Sequence, residues 1–241
     1  MPPRGKLIVL EGIDGSGKRT QIEMLARALD AHGIEQERIS FPRYDRFFGK
    51  LVAQFLNGAF GALADVDPHF SALLYAGDRL ESKPEIEAAL AAGKILLADR
   101  YIGSNLAHQG ARVAARKRGA FLKWLTQLEY DVYGLPREEL VMYLRVPPNI
   151  AQRLVGKKAA RQYTKRKHDL QESNLSHLKQ ASAVYDQLAR QPNWARIDCM
   201  DKPARAGASA VPLRTPQSIH QEILAVIEIR LQLGLASGTE H

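Results

Sequence analysis

Five short β-like runs punctuate the hydrophobic pattern of this chain, at residues 6–10, 36–40, 94–98, 140–145 and 194–198. Runs of four to six residues flanked by turn signals predict strands. Between them the apolar positions recur at helical spacing. Residues 21–31 place Ile22, Leu25, Ala26 and Leu29 on one face, with Gly33 as a stop. Residues 71–92 are apolar along one side, and Pro84 is expected to kink or restart that helix. Residues 175–188 and 218–233 carry the same period. Strands alternating with helices of this length predict an α/β fold, a five-stranded parallel sheet with helices on both faces and right-handed crossovers. Without an internal repeat or a linker, residues 1–241 read as a single domain. Two stretches read as loops. One is the basic segment 156–168; the other is 201–216 (DKPARAGASAVPLRTP), weakly hydrophobic and placed as a surface insertion.

Composition narrows the picture. Of 241 residues, 45% are hydrophobic and 25% charged, as in soluble globular proteins. No stretch approaches the roughly 18 apolar residues of a membrane span, and Glu11 and Asp14 end the first apolar run too early for a secretion signal. A cytoplasmic protein without membrane partners is expected. The lone cysteine, Cys199, excludes an intrachain disulfide and reads as a small buried residue. The net charge of +8 raises the question of polyanion binding. Lys157, Lys158, Arg161, Lys165, Arg166 and Lys167 crowd together, yet only Tyr163 interleaves them. The stacking platform of a single-strand nucleic-acid binder is missing, so no nucleic-acid partner is expected.

The strongest local signal is Gly12-Ile13-Asp14-Gly15-Ser16-Gly17-Lys18, after an apolar run and before an amphipathic helix. That context makes it a phosphate-binding loop. Glycines let the backbone N–H groups wrap an anion, the helix N-terminus adds its dipole, and Lys18 reaches the β- and γ-phosphates. Thr20 belongs to the same ATP-binding stretch. One position departs from the pattern: Arg19 stands where a Ser or Thr would ligate Mg²⁺, and a guanidinium has no acceptor lone pair. Three explanations stay open. Mg²⁺ is held by waters, phosphates and a carboxylate; or Arg19 turns away into a salt bridge and activity is impaired; or catalysis is lost. Asp99-Arg100-Tyr101 and Phe41-Pro42-Arg43-Tyr44 each follow a strand, where open α/β sheets bind ligands. Asp99 is a candidate for Mg²⁺ or for orienting a nucleophile, and Arg100 for clamping a phosphate.

Four blocks in order, LEGIDGSGK (10–18), FPRYD (41–45), LLYAGDR (73–79) and DRYIGSNLAHQG (99–110), make the chain resemble the thymidylate kinases. The resemblance implies a P-loop NTPase-type three-layer sandwich with a lid at about 153–168. It implies transfer of the γ-phosphoryl of ATP to dTMP, with Mg²⁺ as cofactor, in a homodimer. It places Asp14 near the nucleotide 3′-hydroxyl and the metal. Phe41, Arg43 and Tyr44 would line the dTMP phosphate and sugar, and Arg100 would grip that phosphate. Tyr75 takes the place of a Phe that stacks on thymine, and Arg79 matches an arginine that bonds a thymine carbonyl. Asn105 and Gln109 would read the base edge, with His108 where an aromatic packs on the deoxyribose. With Gly15 where one subgroup has arginine, the catalytic cation is expected from the lid, Arg153 or Arg161, backed by Lys157 and Lys158. Asp169, Glu172 and Tyr185 resemble positions following the lid. Two rivals stay in view, a kinase for another deoxynucleoside monophosphate and a catalytically impaired nucleotide-binding protein suggested by Arg19.

Overall fold

In the computed structural model, which describes residues 4–155, 175–201 and 212–235, all five expected strands form. They are β1 (Lys6–Glu11), β2 (Gln36–Ser40), β3 (Ile95–Asp99), β4 (Leu140–Arg145) and β5 (Trp194–Asp198), paired in parallel in the order β2-β3-β1-β4-β5. Leu7, Ile8, Val9 and Leu10 are all fully buried, so both faces of the central strand are covered. An uninterrupted apolar run in β1 is the pattern such a strand requires. The helices are α1 (Lys18–Ala31), α2 (Phe47–Leu56), α3 (Pro68–Ala91), α4 (Ile102–Gly110), α5 (Ala115–Thr126), α6 (Pro148–Val155), α7 (Leu175–Leu188) and α8 (Pro216–Leu231); a π-helical turn, Gln127–Val132, extends α5. α1 packs with α8, while α3 packs with α4 and α4 with α7.

Pro84 does not restart α3. The helix runs through it, begun by Asp67, whose carboxylate accepts the backbone N–H of His69 at 2.7 Å. A proline removes only the bond to the carbonyl four residues back. Pro84 and Leu80 both lie on the solvent-exposed side, while Leu74, Asp78, Ser82, Ile86 and Leu90 keep the other side packed. No helix among the described residues is long and apolar enough to cross a membrane. Most of the expected lid (156–168) and of the 201–216 insertion lies outside the described residues, as do Arg161, Asp169 and Glu172.

Two features of the sheet position the site. Leu10 of β1 is in register with Asp99 of β3, so the glycine loop and the Asp99-Arg100 pair emerge side by side. The chain then turns sharply at Arg100, which adopts φ +70° while its N–H donates to Leu10 O at 3.0 Å. A left-handed conformation is uncommon for a non-glycine residue and clusters at functional sites.

Candidate active site

The glycine loop wraps the N-terminus of α1, which has Gly17 as its first flanking residue, no side-chain cap and no acidic residue in its first turn. Its free N–H groups and dipole therefore favour an anion. Gly15, at φ +85°, has room for no side chain: a Cβ would stand 2.4 Å from the carbonyl of Ala151 on α6. Lys18 Nζ donates to the carbonyls of Gly12 (2.9 Å) and Ile13 (3.2 Å). Burial, reinforced by Arg100, lowers its pKa to about 8 although Asp99, Asp14 and Glu11 act the other way. Arg19 turns outward. Its side chain is 84% exposed and pairs with Glu23 at 2.9 Å, the second of the three open explanations as far as geometry goes. Thr20 lines a cleft of about 430 Å³ behind the loop, with Gly15, Ser16, Gly17, Leu154 of α6, Cys199 and Arg214. Cys199 is buried, as expected.

Arg100 Nη1 donates to the same Gly12 carbonyl (3.1 Å) and to Ser104 Oγ (2.9 Å), and Nη2 pairs with Asp14 at 2.8 Å. Lys18 and Arg100 thus place two cationic nitrogens within about 6 Å of each other around one oxygen. Behind them lies Glu11, fully buried. One carboxylate oxygen accepts the N–H groups of Tyr101 (2.8 Å) and Ser104 (2.9 Å); the other accepts the hydroxyls of Ser104 (2.6 Å) and Tyr185 (2.9 Å). Glu11 therefore caps α4 from the adjoining strand. Tyr185 serves as its partner from α7. Asp99 lies beside Lys18, its Oδ1 buried and without a hydrogen-bond partner among the described residues.

A second cleft, of about 510 Å³, opens beside Arg100. Asp14, Phe41, Tyr44, Tyr75, Arg79, Asn105, His108 and Gln109 line it. Residues 104–109 are not ordinary helix surface: Asn105, His108 and Gln109 are all buried. Arg43 is the exception to the expected set. Its guanidinium pairs with Glu85 and lines a separate recess, because Glu85 on α3 offers a carboxylate on that side. Its backbone N–H donates to Asp78 Oδ2 (3.0 Å), a carboxyl that burial pushes up to about 6. Tyr75 meets the edge of Phe55 at 6.3 Å. Arg153 is exposed on α6, its Nε 3.4 Å from the carbonyl of Asn149.

The polar wall is held by residues that periodicity alone does not mark. Glu129, fully buried, takes two nitrogens of Arg79 (2.5 and 2.6 Å) and the Asn105 amide (2.8 Å). The one available signal was an acidic residue four positions after Leu125, on the apolar stripe of its helix. Arg112 Nη1 donates to Gln109 Oε1 (2.8 Å) and Ser71 Oγ (2.6 Å). These partners fix both amides, since carboxylate and carbonyl oxygens only accept and a guanidinium only donates. Among the described residues, Asn105 Oδ1 and Gln109 Nε2 are buried without a hydrogen-bond partner, an acceptor and a donor on two residues that line the cleft.

The chain matches the family profile described as "Thymidylate kinase" over residues 10–206. It is 31% identical to the thymidylate kinase of Mycobacterium tuberculosis over 215 residues, covering 87% of this chain and 99% of that one. The Synechococcus thymidylate kinase is 31% identical over 241 residues, covering 96% and 100% of the two chains. A thymidylate kinase structure from Candida albicans superposes with a TM-score of 0.69 over 94% of this chain and 92% of that one at 21% identity, a likeness of fold.

The lowered pKa of Lys18 has a measurable consequence. A bound polyphosphate raises it again, so binding takes up a proton wherever the free ammonium is titrating. The contribution of Lys18 to polyphosphate affinity is full below about pH 8 and falls as pH rises above it. Calorimetry of ATP binding in buffers of differing ionisation enthalpy should show proton uptake approaching one per site near pH 9, and uptake near zero at pH 9 contradicts the assignment.

Proposed function

The chain belongs to the thymidylate kinase family of ATP-dependent nucleoside monophosphate kinases, and we propose that it moves the γ-phosphoryl group of ATP onto dTMP where its two clefts meet. The observation that carries this assignment of parts is the convergence of Lys18 and Arg100 on the Gly12 carbonyl. One cation belongs to the phosphate loop and the other opens onto the nucleoside-sized cleft. ATP then lies along the loop, with its base toward the cleft at Thr20, Cys199 and Arg214. The dTMP phosphate lies on Arg100.

A phosphate oxygen of dTMP is already anionic, so in-line attack on the γ-phosphorus needs no strong general base. The protein's task is to hold two polyanions together and offset their repulsion. Lys18 and the loop N–H groups act on the donor side, and Arg100, oriented by Asp14 and Ser104, on the acceptor side. Arg153 on α6 and Arg161 beyond it are the candidates for a further lid cation, a contribution on the order of 10³–10⁵ in related transfers. Arg43 stands outside this set while Glu85 holds it. At the base end, Asn105 Oδ1 accepts and Gln109 Nε2 donates, the complement of an imide N–H beside a carbonyl. That edge belongs to thymine and uracil, and Tyr75 supplies a π face beside it.

Mg²⁺ fits the donors present. Among the described residues no three His, Cys, Asp or Glu side chains form a metal cage, and Mg²⁺ commonly takes one or two carboxylates and completes its shell with phosphates and water. The buried, unpartnered Asp99 Oδ1 is the oxygen that would hold it. When bound with ATP, the ion neutralises charge on the β- and γ-phosphate oxygens.

A homodimer is supported by an apolar face on α2 and α3. Phe47, Phe70, Leu73 and Leu80 are all more than a third exposed, and the three on α3 follow helical spacing along one side.

Three outcomes test this reading. In an ADP-release assay over a panel of nucleoside monophosphates, dTMP should be strongly preferred, and Arg100→Ala should lower kcat/KM for dTMP by at least about 10²-fold. An unchanged value sinks the assignment. Arg19→Ser, which restores a hydroxyl at the usual ligating position, should lower the Mg²⁺ concentration for half-maximal rate; loss of activity instead gives Arg19 a catalytic role of its own. Leu73→Glu should convert a sedimenting dimer to monomer, whereas a dimer of undiminished affinity moves the interface elsewhere.

A further inference from the structure

The cleft behind the phosphate loop contains an acceptor that the phosphate contacts leave unused. Gln21 lies one turn into α1, its backbone N–H donating to Gly17 O at 3.1 Å. It is 2% exposed and lines the cleft of about 430 Å³. Its Nε2 donates at 2.9 Å to the carbonyl of Pro216, the first residue of α8. A carbonyl only accepts, so the amide cannot be turned over: nitrogen faces α8, and Oε1 is the end left to act. Oε1 is buried and has no hydrogen-bond partner among the described residues. Native proteins leave few buried acceptors in that condition, because an unpaired one is costly.

The surroundings decide what this acceptor meets. The phosphates of a bound ATP take the loop N–H groups at the start of α1, where the helix dipole favours an anion. Much of the remaining wall is Val146, Leu154, Leu213 and Ile219, an apolar setting for a flat ring. Arg214 borders the same cleft, but its guanidinium is engaged. Nη1 bonds Asp198 O (2.8 Å) and Glu222, Nη2 bonds Ser218 O (2.9 Å), and Nε bonds Ser218 Oγ (3.2 Å). Ser16 belongs to the phosphate loop itself. Gln21 Oε1 is therefore the acceptor available to the edge of a base. Purines differ in what they bring to such an edge. Adenine carries an amino group at position 6, which donates; hypoxanthine and guanine carry a carbonyl there, which sets lone pair against lone pair.

Resting on the kinase reading above, we propose that Gln21 reads the base of the phosphoryl donor, its Oε1 accepting from the 6-amino group, and that the enzyme thereby selects 6-aminopurine triphosphates over 6-oxopurine ones. The contact with Pro216 supplies the precision. It spans 195 positions of sequence, so the acceptor's orientation is set by the docking of α8 against α1 and is in place before the nucleotide arrives.

The test follows dTDP formation from dTMP with three donors: ATP, purine riboside 5′-triphosphate, which lacks the amino group, and inosine 5′-triphosphate, which has a carbonyl in its place. In the wild-type enzyme, kcat/KM for ATP should exceed that for the purine riboside triphosphate by about tenfold and that for the inosine triphosphate by at least about a hundredfold. Gln21→Leu should bring ATP and the purine riboside triphosphate within about twofold of each other. Gln21→Glu loses the bond to Pro216 but keeps an acceptor, so it should retain most of the tenfold preference. Equal use of all three donors by the wild-type enzyme overturns the donor-base assignment and leaves the kinase reading standing. A preference that Leu and Glu shift equally also overturns it, because Gln21 then serves only to anchor α8. Failure to phosphorylate dTMP with any donor overturns both readings.

Discussion

Glu11 sits at the end of the central strand with no exposure to solvent and four hydrogen bonds to its carboxylate, two from the backbone of the Arg100 turn and α4, one from Ser104 and one from Tyr185 of α7. Burying a carboxylate costs several kcal/mol unless such bonds offset it. Here they also tie three elements to one point. Removing the acceptor would leave orphaned N–H groups at the start of α4, each costing about 1–3 kcal/mol. The approach is close enough to constrain sequence: a Cβ on Gly103 would stand 2.9 Å from Glu11 Oε1 and 2.8 Å from the Trp194 ring. Because α4 is held there, Arg100 comes out of the turn at φ +70° with its guanidinium on Gly12, Asp14 and Ser104.

The site then follows as an arrangement of charge. Lys18 and Arg100 approach the same carbonyl, and a cluster of Glu11, Asp14 and Asp99 moderates them. Two like charges held this close are unfavourable by themselves, and become useful when a polyanion is bound between them. Farther along the cleft, buried pairs do a different job. Glu129 holds Arg79 and Asn105, and Arg112 holds Gln109, so the groups that face the base arrive with fixed orientation and defined donor or acceptor character. Networks of this kind are costly when incomplete and rigid when satisfied.

Much of this was legible in the sequence, and the reasons are local. Strand runs, helical periods and the Gly-Lys phosphate loop all depend on neighbours within a few residues, so the five strands, α1, α7 and the loop could be placed from spacing alone. The four motif blocks carried the family and most of the cleft's lining. What spacing could not decide was where each long side chain goes. Arg43 is drawn to Glu85, forty-two positions away, and Arg19 to Glu23. Glu129 lies 50 and 24 positions from the Arg79 and Asn105 that it holds, and Arg112, in the turn after α4, reaches Ser71 forty-one positions back. Pro84 passes unbroken through α3 because the other side of that helix is buried against the protein, a fact of tertiary contact. The sequence by itself determined the fold class, the phosphate loop and the identity of the residues that chemistry requires. Only the tertiary structure decided which of them meet, since hydrogen-bond partners and buried charge depend on distances that the parallel register of β1 and β3 sets between remote parts of the chain.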